Sequence, residues 1–453
     1  MNARRRWAAQ LWILWPLWTP LAAQPPAAGS PLPPKQPPPI QPPPIQRPTA
    51  QQVAQRVASL TGPLEEEGLL SGNFALARGG QLLAQGCFGQ AHYELGVPNG
   101  PDTRFCIASL SKPMTAVAVA HLVHQGRLDV DAPVSRWLED FPRGDVITVR
   151  HLLGHLAGIP HRVTRPEQEC VPRTAADMVE LAKASDLLFE PGTDRQYSSA
   201  GYSVVARIIE IATGADYDRA MRDLVFAPLG MTATRHVQSR ELLPQRAAPY
   251  HHGVDGGYEN SPLQDLSFLV GGGSLYATIG DVLRFGIACQ ERSGLPAGVW
   301  AVLADDLGWG RRENVRWNGQ TSGYGAFLDL HGRDQVVVAF VGNAGMGSAG
   351  VLRYAGPRLA RGHPFELIQD PLTPEQAGPY LGSYTRKTAR LTICLRNGVL
   401  RTDSGGRFYH RSGDRFFSLA YACEAVFERD DKGAVTALVY ESGVGRTVFV
   451  RER

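Results

Sequence analysis

Ser109, Ser111 and Lys112 stand together in IASLSKPMTAVA (residues 107–118), with Pro113 directly behind them. A serine hydroxyl attacks a carbonyl carbon only once a base takes its proton. A lysine can accept that proton, or stabilise another base that does. Residues three apart share one face of a helix, so Ser109 and Lys112 would point the same way. Ser111 is a competing hydroxyl, but its neighbour Lys112 would lie on a different face. A helix start also offers free N–H groups and the positive end of its dipole to developing negative charge. Pro113 suits that placement, because a first turn tolerates proline and an interior turn does not. The same residues fit an ordinary capped helix start, since serine is a common N-cap. Spacing alone does not choose between the two.

Other chemistry-bearing groups are weaker. His151 and His155 are one helical turn apart, with His161 just beyond, but no Glu lies in the HxxxH interval as a zinc protease requires. Gly271–Gly273 lacks the strand–GxGxxG–helix setting and the following lysine of a phosphate loop, so a close-packed turn lining the active-site side is expected. His251 and His252 fall in a Gly-rich loop and are expected in solvent. Neither a metal nor an organic cofactor is implied.

Several elements must position Ser109 and Lys112. Val53, Val57 and Leu60 recur at helical spacing behind Thr49, a plausible cap. NFALAR and QLLAQGCFG flank Gly79-Gly80, a strand–turn–strand signal. Helical patterns then dominate, in MTAVAVAHLVHQG, ITVRHLLGHLAG, TAADMVELAKAS and YSVVARIIEIATG. Strands return after about residue 320 with GAFLDL and QVVVAFVGN. Strands at both ends of a helical middle predict a sheet assembled from distant parts of the chain, with helices on its faces. Around residues 366–374 the character changes again. LTICLRNGVLRT carries an Asn397-Gly398 hairpin signal, and RFFSL, EAVFER, AVTALVYE and RTVFVRER follow as short strands. Closely spaced strands without helices predict a separate small antiparallel sheet or barrel.

The 453 residues, 43% hydrophobic, suffice for a large core. A net charge of +3, from 46 basic and 43 acidic residues with no basic tract, sets nucleic acid aside as a partner. Arg4–Arg6, the apolar run LWILWPLWTPLAA and the small Ala22 and Ala23 follow the order of a secretory signal peptide over residues 1–23. The chain is therefore expected to be exported, periplasmic or secreted, with membrane contact only if that segment is retained as an anchor. Residues 24–48 are a Pro-rich linker, expected to be a semi-rigid spacer, with a proline-recognition ligand as the alternative. Export permits disulfides among the six cysteines, and Cys394 and Cys423, both in strand-like segments, could pair. Cys289, in the helical pattern DVLRFGIACQE, is expected to be a buried small hydrophobe.

PDTRFCIASLSKPMTAVAVAHLVHQGRLDVDAPVSRWLEDFP, ITVRHLLGHLAGIP, FEPGTDRQYSSAGYSVVARIIEIATG, VFAPLGMTAT and GGGSLYATIGDVLRFG together resemble the serine β-lactamase and penicillin-recognising hydrolase superfamily. Within it they resemble the class C-like branch, which includes class C β-lactamases, DD-peptidases, D-aminopeptidases and family VIII carboxylesterases. The resemblance spans roughly residues 50–360, in the family's order. The C-terminal strands resemble the small lipocalin-like domain that often follows this hydrolase domain. The resemblance and the element pattern together imply an α/β fold of the α+β type. An antiparallel sheet flanked by helices, with a helical subdomain, would occupy 49–365, and a β-barrel-like domain 372–453.

The resemblance places the family's S-x-x-K on Ser109 and Lys112, implying an acyl-enzyme on Ser109. Its Y-x-N falls on Tyr197-Ser198-Ser199, so Tyr197 would be the partner acid or base. Ser199 departs from the usual asparagine: a hydroxyl can still bond Lys112 or a substrate amide, but with shorter reach and fewer donors. The third motif, usually Lys-Thr-Gly or His-x-Gly, falls on Trp317-Asn318-Gly319, implying a substrate-binding strand. Gly319 would let the backbone approach the substrate, and the N–H of Gln320 would join that of Ser109 as an oxyanion hole. Trp317 replaces a cation that in the family binds a substrate carboxylate and depresses the tyrosine pKa. Arg316, adjacent on a strand, would point to the opposite face and is a doubtful substitute. Family VIII esterases resemble this chain in carrying tryptophan there, so uncharged esters or small amides are favoured over β-lactams and D-amino-acid peptides. The rival expectation is a degenerate hydrolase that binds peptidoglycan fragments or a partner without turnover.

Overall fold

Thr49 caps the first described helix, α1 (Ala50–Glu66), through a capping box with Gln52. The computed structural model describes residues 47–452, apart from 254–256, 310–312, 368–370, 404–405 and 443–444. The expected signal segment and most of the proline-rich linker lie outside the described residues. Val53, Val57, Leu60 and Leu64 form the buried face of α1. Strands β1 (Gly72–Arg78) and β2 (Gln81–Phe88) follow, joined at Gly79 and Gly80. Both glycines have positive φ, as a two-residue hairpin turn requires.

The helical middle then contributes α2 (Ser111–His124), α3 (Val149–Gly154), α4 (Ala175–Lys183), α5 (Ala200–Thr213) and α6 (Ile279–Glu291). From Ser111 to Ala120 every residue of α2 is buried. A helix apolar on all sides belongs in the centre of a large core, and α2 runs through the largest cluster of the molecule. The chain returns to the sheet with β3 (Asn314–Thr321), β4 (Tyr324–His331) and β5 (Val336–Gly342) before α7 (Gly350–Arg361).

The five strands are antiparallel in the order β3-β4-β5-β1-β2, with Phe74 opposite Phe340 where the two ends of the chain meet. Alternation sorts the sheet into two apolar faces. Ala75, Ala77, Leu328, Val337 and Ala339 face the core that holds α2 and α6. Phe74, Leu76, Phe327, Val338 and Phe340 face α1 and α7. This is the expected sheet flanked by helices, and it leaves β3 as an edge strand.

Eight further strands close a barrel: β6 (Gly382–Arg386), β7 (Ala389–Arg396), β8 (Val399–Thr402), β9 (Arg407–Ser412), β10 (Arg415–Ser418), β11 (Cys423–Arg429), β12 (Val435–Ser442) and β13 (Gly445–Arg451). The Asn397-Gly398 turn has positive φ at both residues, as its sequence predicts. β6 and β9 have no counterpart in the sequence reading, because GSYTR and RFYHRS lack a clear apolar run. Tyr384, Phe408, Phe416, Phe427, Tyr440 and Phe449 fill the interior. Cys423 lies among them, whereas Cys394 is half-buried next to the inward Ile393 on a strand that does not neighbour β11. All six cysteines are free, so the possible Cys394–Cys423 pair does not form. The outer residues Tyr409, Phe417 and Leu419 pack on the α1/α7 face of the sheet, and Arg407 pairs with Glu67 just past α1.

Candidate active site

Ser109 sits in a single 3₁₀ turn, Ala108–Leu110, immediately before α2. Ala108 has φ 46°, a left-handed conformation costly for a residue with a side chain. As the second residue of the turn, Ser109 has no intrahelical acceptor for its N–H. Ser111 is fully buried, and its hydroxyl accepts from the N–H of Leu275, so it braces the turn. Pro113 lies in the first turn of α2.

Lys112 is buried, and its Nζ meets three oxygens: Gly272 O at 2.6 Å, Ser199 Oγ at 3.1 Å and Ser109 Oγ at 3.3 Å. No carboxylate offsets its charge among its described contacts, and burial pushes the ammonium pKa below the usual lysine value. The interaction with Tyr197 opposes that shift in part. The phenol O–H of Tyr197 donates to Ser109 Oγ at 2.8 Å, and Lys112 Nζ lies 4.7 Å from the centre of its ring. Ser109, Lys112, Tyr197 and Ser199 thus form one continuous hydrogen-bonded group.

The geometry suits proton transfer from the serine. A neutral amine has two N–H groups for Gly272 O and Ser199 Oγ, and its lone pair is then left for the proton of Ser109. The serine oxygen in turn accepts the Tyr197 O–H. Gly272 belongs to the glycine triplet, where a Cβ at Gly271 would overlap the backbone of Tyr202. The triplet is therefore a close-packed turn whose carbonyl orients the lysine.

Two further residues support this arrangement without having been read as part of the site. His155 ends α3 in the left-handed conformation, and its Nδ1 accepts the N–H of Ser198 at 3.2 Å. His161 Nδ1 accepts the N–H of Ser199 at 3.3 Å. Their rings lie 4.6 and 5.2 Å from that of Tyr197. Burial and the nearby Lys112 hold both neutral, His155 down to about 3 and His161 to about 4. The pair fixes the turn that carries Tyr197, and the HLAGIPH spacing was its signal in the sequence. Among the described residues no group of three His, Cys, Asp or Glu is placed to hold a metal. His251 is not simply solvated: its Nε2 lies 3.2 Å from both Ser261 Oγ and Ser322 Oγ.

β3 forms the opposite wall. Gly319 is buried, and a Cβ there would overlap the carbonyl oxygen of Ile107, so this strand rests directly on the Ser109 turn. The two-residue turn Ser322–Gly323 makes Thr321 and Tyr324 the closing pair of the hairpin. Antiparallel alternation then directs the N–H of Gln320 away from β4. Trp317, half-buried, shares the Gly319 face and packs 5.1 Å from Trp309 and 6.0 Å from Phe285. Asn318 corrects the expectation of a substrate-binding side chain. It shares the other face with Arg316, and its Oδ1 accepts from Arg353 at 2.8 Å. Strand alternation, which turns Arg316 away, turns Asn318 away as well.

A family model described as beta-lactamase matches residues 49–359. The chain is 26% identical over 444 residues to penicillin-binding protein 4* of Bacillus subtilis, covering 87% of this chain and 98% of that one. It is 35% identical over 209 residues to esterase EstB of Burkholderia gladioli, covering 42% of this chain and 52% of the esterase. The crystal structure of D-amino acid amidase from Ochrobactrum anthropi superposes with a TM-score of 0.55 at 24% identity, covering 64% of this chain and 92% of that one, a likeness of fold.

Proposed function

The chain belongs to the beta-lactamase family, whose members are serine hydrolases, and we propose that it hydrolyses uncharged carboxylic esters or small amides through an acyl-enzyme on Ser109. The observation that carries this reading is that Ser109 Oγ lies within reach of both Lys112 Nζ and Tyr197 Oη, at 3.3 and 2.8 Å. Lys112, its pKa lowered by burial, takes the serine proton as Oγ attacks the carbonyl carbon. The oxygen that gains negative charge is received by the N–H groups of Ser109 and Gln320. Tyr197 hands its proton to the departing alkoxide or amine and is reprotonated through Lys112. Water then repeats the attack in reverse roles and frees the acid.

Trp317 supports the choice of substrate. An aromatic surface takes the place where a cation would hold a substrate carboxylate, which favours neutral acyl compounds. The similarity to a penicillin-binding protein over nearly its whole length motivates the second reading, turnover of β-lactams or D-amino-acid peptides. The order of residues 1–23 supports action outside the cytoplasm, in the periplasm or as a secreted protein.

The test is covalent labelling with a fluorophosphonate, mapped by mass spectrometry, beside rates on p-nitrophenyl butyrate, nitrocefin and a D-Ala-D-Ala peptide. A label on Ser109, absent in Ser109→Ala, is expected, with butyrate turned over fastest. No label and no turnover of any of the three would leave a binding protein instead. Faster nitrocefin than butyrate would overturn the substrate choice alone.

A further inference from the structure

Asp329 is fully buried on β4, on the sheet face opposite Ser109. Arg353 of α7 grips it with two bonds, Nε to Oδ2 at 2.8 Å and Nη2 to Oδ1 at 2.5 Å, and Arg316 lies 3.4 Å away. The remaining nitrogen of the fork, Nη1, donates to Asn318 Oδ1 at 2.8 Å. A guanidinium has fixed fork geometry, so anchoring two of its nitrogens on a buried carboxylate also fixes the third. The third nitrogen holds the residue directly before Gly319.

That tether matters because of where it falls. β3 is an edge strand, laddered to β4 alone, and its Gly319 face lies against the Ser109 turn. Gly319 has no side chain to pack, and the side chain of Gln320 is exposed. The placement of the Gln320 N–H therefore depends on the β4 ladder and on the bond from Asn318 to Arg353. α7 is itself held from its outer side: Tyr354, the next residue, packs its ring edge-on or tilted against Phe365 and the barrel's Phe417, with centroids at 5.3 and 5.1 Å.

We infer that Arg353, locked by Asp329, is a positioning residue that acts through Asn318 to hold the Gln320 N–H at the oxyanion position. The inference rests on the reading of Ser109 as nucleophile and Gln320 as oxyanion donor. The contact touches neither substrate nor Ser109, so it sets how well the tetrahedral intermediate is held rather than how the substrate binds. Losing it lowers kcat and leaves KM nearly unchanged.

Asp329 variants are unsuitable tests, because they would leave half-buried Arg353 without its partner. Asn318→Leu keeps the volume and removes the acceptor. It is expected to lower kcat on p-nitrophenyl butyrate by about tenfold or more, part of the effect of losing an oxyanion donor, with KM within about twofold. The fluorophosphonate labelling rate should fall in parallel, since that adduct is also tetrahedral. Asn318→Asp restores the acceptor and should recover most of the lost kcat. Arg353→Lys, a point cation that cannot fork to both partners, should reproduce the Asn318→Leu defect, and the two together should cost no more than one. Wild-type kcat in Asn318→Leu, no recovery in Asn318→Asp, or additive losses in the double variant would each overturn the inference. Should Asn318→Leu not fold, the kcat and KM of Arg353→Lys decide it. Failure of the wild-type protein to label at Ser109 would instead remove the function on which it rests.

Discussion

Ser109, Lys112 and Tyr197 are held by a buried helix and by a turn bonded to His155 and His161, whereas Trp317 to Gln320 lie on an edge strand with one neighbour. On the first wall the side chains of Ser109, Lys112, Tyr197 and Ser199 are hydrogen-bonded to one another. Lys112 alone meets three oxygens, so any change there leaves buried groups unsatisfied, at a cost of about 1–3 kcal/mol each. On the second wall Trp317 is half-buried and Gln320 exposed, and side chains can change without opening the core. The residues of the helical wall that match the family, Ser109, Lys112 and Tyr197, are those whose geometry the proton transfers need. Trp317, the proposed determinant of substrate charge, lies on the strand, where it is half-buried and a substitution disturbs less of the core.

The contrast can be broken most severely at Lys112. Lys112→Met keeps the length of the side chain and removes the base, and kcat/KM for p-nitrophenyl butyrate should fall by about 10³. On the proposed mechanism the neutral amine is the active form, so kcat/KM should rise with pH. Burial depresses the lysine pKa, so that rise should be centred below the ordinary lysine value. A rise centred at or above that value, or one that survives in Lys112→Met, would assign the base elsewhere.

A smaller effect is expected on the strand wall. Trp317→Lys should raise the kcat/KM ratio of nitrocefin to p-nitrophenyl butyrate by at least about tenfold, or about 1.4 kcal/mol. That is well short of the roughly 4 kcal/mol of an ideally placed charge at 4 Å, because the position is half open to water. An unchanged ratio with intact folding would show that Trp317 does not set substrate charge.

The last effect concerns acid and is read on stability rather than on rate. His155 is held neutral down to about 3, far below its ordinary 6.5, so the unfolded chain binds its proton more readily than the folded one. Its contribution is fully present above pH 6.5 and is lost as pH falls, about 2 kcal/mol by pH 5. His155→Asn keeps an acceptor and tolerates the left-handed backbone, but does not titrate. Its Tm should therefore fall less steeply between pH 6.5 and 4.5 than that of the wild type, in calorimetric scans. Parallel curves would show that acid acts elsewhere first.

Much of this was legible in the sequence where periodicity is strong. Thr49 as a cap, the hairpin at Gly79-Gly80, α2 and the return of strands near residue 320 all follow from apolar spacing and turn chemistry. β6 and β9 were not legible, because polar residues dominate them and closure of the barrel recruits them. Cys394 and Cys423 suggested a pair by type and region, yet the barrel places one inside and one on a strand that is not its neighbour. Asn318 was misread for a simpler reason. Its neighbours Trp317 and Gly319 share the face turned to the Ser109 turn, but the two-residue period of a strand sends it to the opposite face, where Arg353 takes it.

The sequence by itself placed Ser109 and Lys112 on one face at a helix start through local backbone geometry, and the family resemblance, not the spacing, marked them as the atoms to do chemistry. That resemblance also carried the expectation that Trp317 stands where the family has a cation. Only the tertiary structure decided what those atoms meet. Tyr197 reaches Ser109 across 88 positions of chain, Gly272 orients Lys112 across 160, and Arg353 reaches back 35 residues to Asn318. Such contacts arise from packing, which brings together residues with no spacing relation to one another. No period in the sequence can announce them.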